Sequence, residues 1–178
     1  MNRASPPVAT AVAGSPSSRS IRSLSLIHML IVEALYLQQP KIIAYVEQLM
    51  ADPALDWRGA VRQFLYSCCY GERHGIAVLT VEEQQLIFKR LSKESYESFR
   101  EKQRRLFGQI LESFGIQADV EDVNLFTNIS LTVMIVRRAI PDTLPLFVPE
   151  AADAAIEFQI NAIVDALEKL REQKPRRN

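Results

Sequence analysis

Apolar residues recur every three or four positions along nearly the whole chain from Ser20 to Leu170. The recurrence is interrupted only where proline, glycine or a capping residue stands. That period places side chains on one face of an α-helix, and no β-strand can satisfy it. The six glycines lie almost entirely at segment ends, which leaves the helical runs unbroken. The pattern predicts an all-α chain of six or seven helices. At 178 residues it is long enough for one well-buried domain.

Each run has its own punctuation. Ile21, Leu24, Ile27, Ile31 and Leu35 form a first helix, with Pro40 opening a second that carries Ile42, Ile43, Val46, Leu49 and Met50. Asp56 caps the next, where Trp57, Ala60, Val61, Phe64, Leu65 and Cys68 share a face closed by Gly71. Thr80 and Glu83 have the spacing of a capping box before Leu86, Ile87 and Leu91. Ser92–Ser95 marks a break, after which Tyr96, Phe99, Leu106, Phe107, Ile110, Leu111 and Phe114 continue to a stop at Gly115. Asp119 caps a strongly apolar helix that runs to Pro141, and Pro149 with Glu150 opens the last one. Between these two, PDTLPLFVP reads as an ordered linker containing Leu144, Leu146 and Phe147. Residues 1–19 read as a disordered tail, 20–172 as the helical domain and 173–178 as a polar tail that frays. Arg3, Arg19 and Arg22 precede the first acidic residue, Glu33, as in some transit peptides. The absence of an amphipathic basic helix there favours a plain tail.

Composition removes several function classes. Zero formal net charge gives no global attraction to nucleic acid or an anionic membrane. The apolar run Leu24–Leu37 is shorter than the ~20 residues a bilayer requires. Cys68 and Cys69 are adjacent and cannot staple distant segments, which suits a reducing, cytoplasmic setting and small buried side chains. No phosphate-cradling glycine loop, HExxH, CxxC or G-x-S-x-G motif occurs, and His28 and His74 lack a spaced partner, so neither enzyme activity, metal nor cofactor is expected. Arg100, Lys102, Arg104 and Arg105 alternate with Glu97 and Glu101, as on a solvated helix face.

What remains is binding. Asn124, Asn128 and Thr132 draw a polar line at four-residue spacing on the otherwise apolar Asp119–Pro141 helix. Apolar pockets with a few placed polar groups commonly lie between bundle helices. The candidate lining is Trp57, Phe64, Tyr96, Phe99, Asn124, Asn128 and Thr132. The alternative for the polar line is a helix with one end wet. The last helix repeats Ala152, Ile156, Ile163, Ala166 and Leu170, with Ala151, Ala154, Ala155 and Ala162 as small flanks for close contact.

From Ala51 onward the chain resembles the C-terminal effector-binding and dimerisation domain of TetR-family transcriptional regulators. The resemblance rests on DPALDWRGAVRQFLYSC, on the helix ending ILESFGI, on DVEDVNLFTNISLTVMIVRRA, and on the closing Ala-rich helix. It implies a small apolar effector and a homodimer formed by the last two helices, through Val133, Val136, Ala152, Ala155, Ile156, Ile163 and Ala166. The family's DNA-binding unit is not matched: Leu35, Tyr36 and Lys41 echo its ending at the wrong spacing, and no glycine lies between Gly14 and Gly59. DNA binding is therefore carried over to no position. The competing expectation is a helical interaction module with no small-molecule ligand and no DNA binding, docking through Leu24–Leu37.

Overall fold

The computed structural model describes residues 18–71, 81–139 and 148–176. Most of the N-terminal tail, the loop with His74, Gly75 and Thr80, and the linker cluster Leu144, Leu146 and Phe147 lie outside the described residues. So do the side chains of 18–32, including His28 and most of the Leu24–Leu37 face.

Among the described residues the chain forms six α-helices and no strand: α1 (Ser18–Ala51), α2 (Trp57–Cys69), α3 (Val81–Phe88), α4 (Lys93–Ser113), α5 (Val120–Ala139) and α6 (Ala152–Gln173). No described helix is long and apolar enough to cross a membrane. A short 3-10 turn, Pro149–Ala151, leads into α6. The caps expected at Asp56 and Asp119 are present. Asp56 accepts from the Gly59 amide at 2.7 Å, and Ser92 accepts from the Ser95 amide at 3.1 Å, which makes the break between α3 and α4 real. Asp119 accepts from the amides of Glu121 and Asp122, while the Asp122 carboxylate accepts from the Asp119 amide. These bonds satisfy donors that the first helical turn leaves free.

One expectation is corrected at the N-terminus. Pro40 does not start a second helix; it sits inside a single 34-residue α1. An interior proline removes one helical hydrogen bond and costs about 3 kcal/mol in isolation. Here α4 accompanies the helix on both sides of it. The Tyr36 ring meets Phe99 at 6.2 Å and lies under the Lys102 ammonium, while Pro40, Ile43 and Glu47 share a hollow with Gln109. Packing on one continuous partner holds both halves in line. A helix-turn-helix needs a turn, and Ser18–Ala51 has none.

The core is built where α2 crosses α1, α5 and α6. Val46, Val61, Phe64, Ile110, Leu111, Phe114, Ile156, Ile160 and Val164 are all essentially sealed from solvent. Phe64 meets Phe114 edge-on at 5.7 Å, and Phe107 meets Phe126 in the same way at 5.6 Å. The buried Ser67 hydroxyl donates to the Gln63 carbonyl at 2.8 Å, so the Tyr45 hydroxyl donates to Ser67 at 2.7 Å and neither group is orphaned. Leu86, placed with the apolar residues by sequence, instead faces solvent, while Ile87 is buried.

The C-terminal end is hooked rather than frayed, at least as far as Arg176. Gln117 N–H donates to the Lys174 carbonyl, and Arg176 N–H donates to Gly115. The Lys174 ammonium sits 2.6 Å from both Asp119 and Asp122. Gly115 makes the turn with φ of +79°, a region that costs other residues roughly 1–2 kcal/mol. A Cβ there would find only an ordinary contact at 3.8 Å with Arg171, so Gly115→Ala should lose stability by about that backbone amount, read as a lower urea midpoint.

The hook also predicts a pH response. Lys174, and then the amide of Asp122, hold the Asp119 carboxyl at about 2, below its ordinary 3.8. A depressed carboxyl contributes stability that is complete above its unfolded value and fades as pH falls from 3.8 towards 2. Acid titration of the Asp119 carboxyl by NMR should show this low midpoint, and Lys174→Met should move it back up.

Candidate functional site

The outer faces of α5 and α6 form an open-sided apolar groove of about 710 Å³. Helix α6 has a reason to present this side. Its other flank is tied to α2 by Arg58 paired with Asp165 and Glu168, and by Arg62 paired with Glu157. The Arg171 guanidinium lies 5.0 Å from the Trp57 ring centre on the same flank. Surface pairs of this kind add little stability, but they fix which way α6 faces. Near the start of α6, Asp153 accepts from the Tyr70 hydroxyl, and Arg137 from the end of α5 stacks over the Tyr70 ring at 4.4 Å.

The groove floor is Phe126, Val133, Ile163 and Leu167, all buried. Its walls carry Leu125 (61% exposed), Ile129 (36%) and Phe158 (74%), beside the exposed Ala162 and Ala166. Large apolar side chains on one contiguous face mark an interaction surface rather than scattered surface residues. The hydroxyl of Thr132 donates to the Asn128 carbonyl at 2.7 Å, so it can be covered without stranding a donor.

The seven expected pocket residues are not brought together. Phe64 is 2% exposed and filled in against Phe114, leaving no lining surface. Trp57 is half-buried, its indole N–H donating to the Phe114 carbonyl at 2.8 Å. Tyr96 and Phe99 join a separate aromatic cluster, each packed on Phe88 at 5.7 and 5.4 Å. Asn124 is half-buried away from the groove, whereas Asn128 and Thr132 line it. The two pairs of rings sit at opposite ends of α4: Tyr96 and Phe99 in its first turns beside Phe88 and Tyr36, and Phe64 and Trp57 against Phe114 just past its last turn.

The expected dimer stripe is likewise divided. Ile156 is 1% exposed and gives its surface to its own core, so it has none left for a second copy. Val136 packs against the core and Ala152 is half-buried. Val133 and Ile163 form the groove floor, Ala166 its exposed wall, and Ala155 is exposed along the same line of α6. The exposed line of α6 runs through Ala155, Phe158, Ala162, Ala166, Lys169 and Gln173; it keeps Ala155 and Ala166 of the expected stripe, while Ile156 and Ile163 lie one position off it and are buried. Phe158 was the available signal: it is the one large apolar residue of α6 outside the buried stripe. Leu125, Ile129 and Thr132 form the matching second stripe on α5.

Elsewhere the chemistry is quiet. No group of acidic, histidine or cysteine side chains suited to a metal occurs among the described residues. Cys68 and Cys69 are buried, and burial pushes both thiols up, Cys69 to about 11. The basic stretch of α4 is engaged within its own surroundings: Glu101 pairs with Arg104 and Arg105, Arg100 lies over Tyr96, and Lys102 over Tyr36. No protein-family model, curated protein or solved structure matches the chain.

Proposed function

We propose that this chain is a homodimeric helical regulator of the TetR effector-domain type, with the α5–α6 face as its dimer seam. The groove is the observation that carries the dimer. Helices of 20 and 22 residues rise 1.5 Å per residue, so two side by side span roughly 30 by 20 Å, or about 600 Å². That approaches the ~800 Å² per partner typical of specific interfaces. A small molecule is the poorer occupant, since ligand sites bury most of the ligand and this groove is open along one side. Regulation by a small apolar effector is supported by the resemblance of helix order, and the effector would act by favouring one helix arrangement over another.

Light scattering after size exclusion tests the seam. At micromolar concentration the mass should be twice the 20.2 kDa of one chain; a monomer would remove the dimer reading. The second reading, a docking module built on α1, is favoured by one observation: Leu37 stands exposed on that helix.

A further inference from the structure

The seam on α6 has a built-in asymmetry along its length. Ala155, Phe158, Ala162, Ala166, Lys169 and Gln173 follow one another at helical spacing, and Phe158 is the only bulky apolar side chain among them. The alanines form the low ground on which a helix axis can approach closely, at about 8 Å. In a two-fold dimer, if one residue meets a second, the second meets the first across the axis. For two antiparallel copies of one helix, facing positions therefore have a constant index sum.

Two arrangements can be compared. A parallel pair would set every residue against itself, bringing the two Phe158 rings into collision and the two Lys169 ammonium groups together, which is unfavourable. An antiparallel pair centred on Ala162 sets Phe158 opposite Ala166, a large side chain opposite a small one. It also sets Lys169 opposite Ala155, at the rim, where the ammonium reaches water along its own apolar stem. The groove beside Ala166, floored by Val133, Ile163 and Leu167, then receives the ring.

Resting on the dimer reading above, we propose that α6 pairs antiparallel with the same helix of a second copy. The two-fold axis passes at Ala162, and Phe158 of each protomer is seated on the partner's Ala166. The two α5 helices flank this pair, and Leu125 and Ile129 close over the inserted ring from the side.

Cysteine cross-linking of the full chain tests the register, and the native thiols are buried and stay silent. Ala162→Cys alone, mildly oxidised, should convert to a disulfide-linked species of twice the chain mass on a non-reducing gel. Mixed Ala155→Cys and Lys169→Cys chains should cross-link with each other and not with themselves; both variants retain Phe158. Light scattering is run on each sample before oxidation. A dimer in which Ala155→Cys or Lys169→Cys links to itself, or in which Ala162→Cys fails to link, overturns the antiparallel register and leaves the dimer standing. A monomer before oxidation overturns both.

Discussion

Replacing Phe64 with alanine is expected to destabilise the fold by about 3–5 kcal/mol, the range for emptying an aromatic site in a packed core. Phe64 is 2% exposed and stands on α2, the helix that packs against α1, α5 and α6, so regular helices surround the space its ring would leave. Its edge contact with Phe114 is lost as well, and the Phe114 carbonyl is the acceptor for Trp57. A domain of this size holds only about 5–15 kcal/mol in total, so the urea midpoint should fall by a large fraction of its value. The comparison must be made at one protein concentration, because dimerisation would add concentration-dependent stability. A loss below about 1 kcal/mol would mean that Phe64 is not in the centre of the core.

The sequence carried the elements better than their use. Asp56, Ser92, Asp119 and Gly115 mark helix ends through local bonds and backbone angles, which depend on a few adjacent residues and so can be read without the fold. Pro40 misleads for the opposite reason. Its local preference for a helix start is outweighed by α4, whose contacts with Tyr36 and with the Pro40 hollow come from far along the chain. The groove was half legible. Spacing points Asn128 and Thr132 to a pocket and the family resemblance points Val133, Ile163 and Ala166 to a dimer interface, whereas the structure puts all five on one face. Periodicity identifies a buried stripe but does not say whether the burial is within one chain or between two. Ile156 and Phe158 differ by two positions, yet one is sealed in the chain's own core and the other stands exposed. The Lys174 hook was missed because its partners are 55 and 52 residues away in sequence.

Phe158→Ala should dissociate the dimer while leaving each chain folded. The ring is 74% exposed in its own subunit, so truncation removes almost nothing from the internal core and the helical circular dichroism should not change. In the dimer the same ring becomes a central buried aromatic, the class of residue whose loss costs about 2 kcal/mol or more. Two-fold symmetry applies each substitution twice, which gives about 4 kcal/mol, or roughly 1000-fold in Kd. Leu37→Ala is the matched control: Leu37 is equally exposed, at 74%, but stands on α1. Sedimentation equilibrium should place the Leu37 variant with the unsubstituted chain and the Phe158 variant among monomers. If Leu37→Ala weakens association and Phe158→Ala leaves it unchanged, the chain associates through α1 and the α5–α6 groove is not the seam.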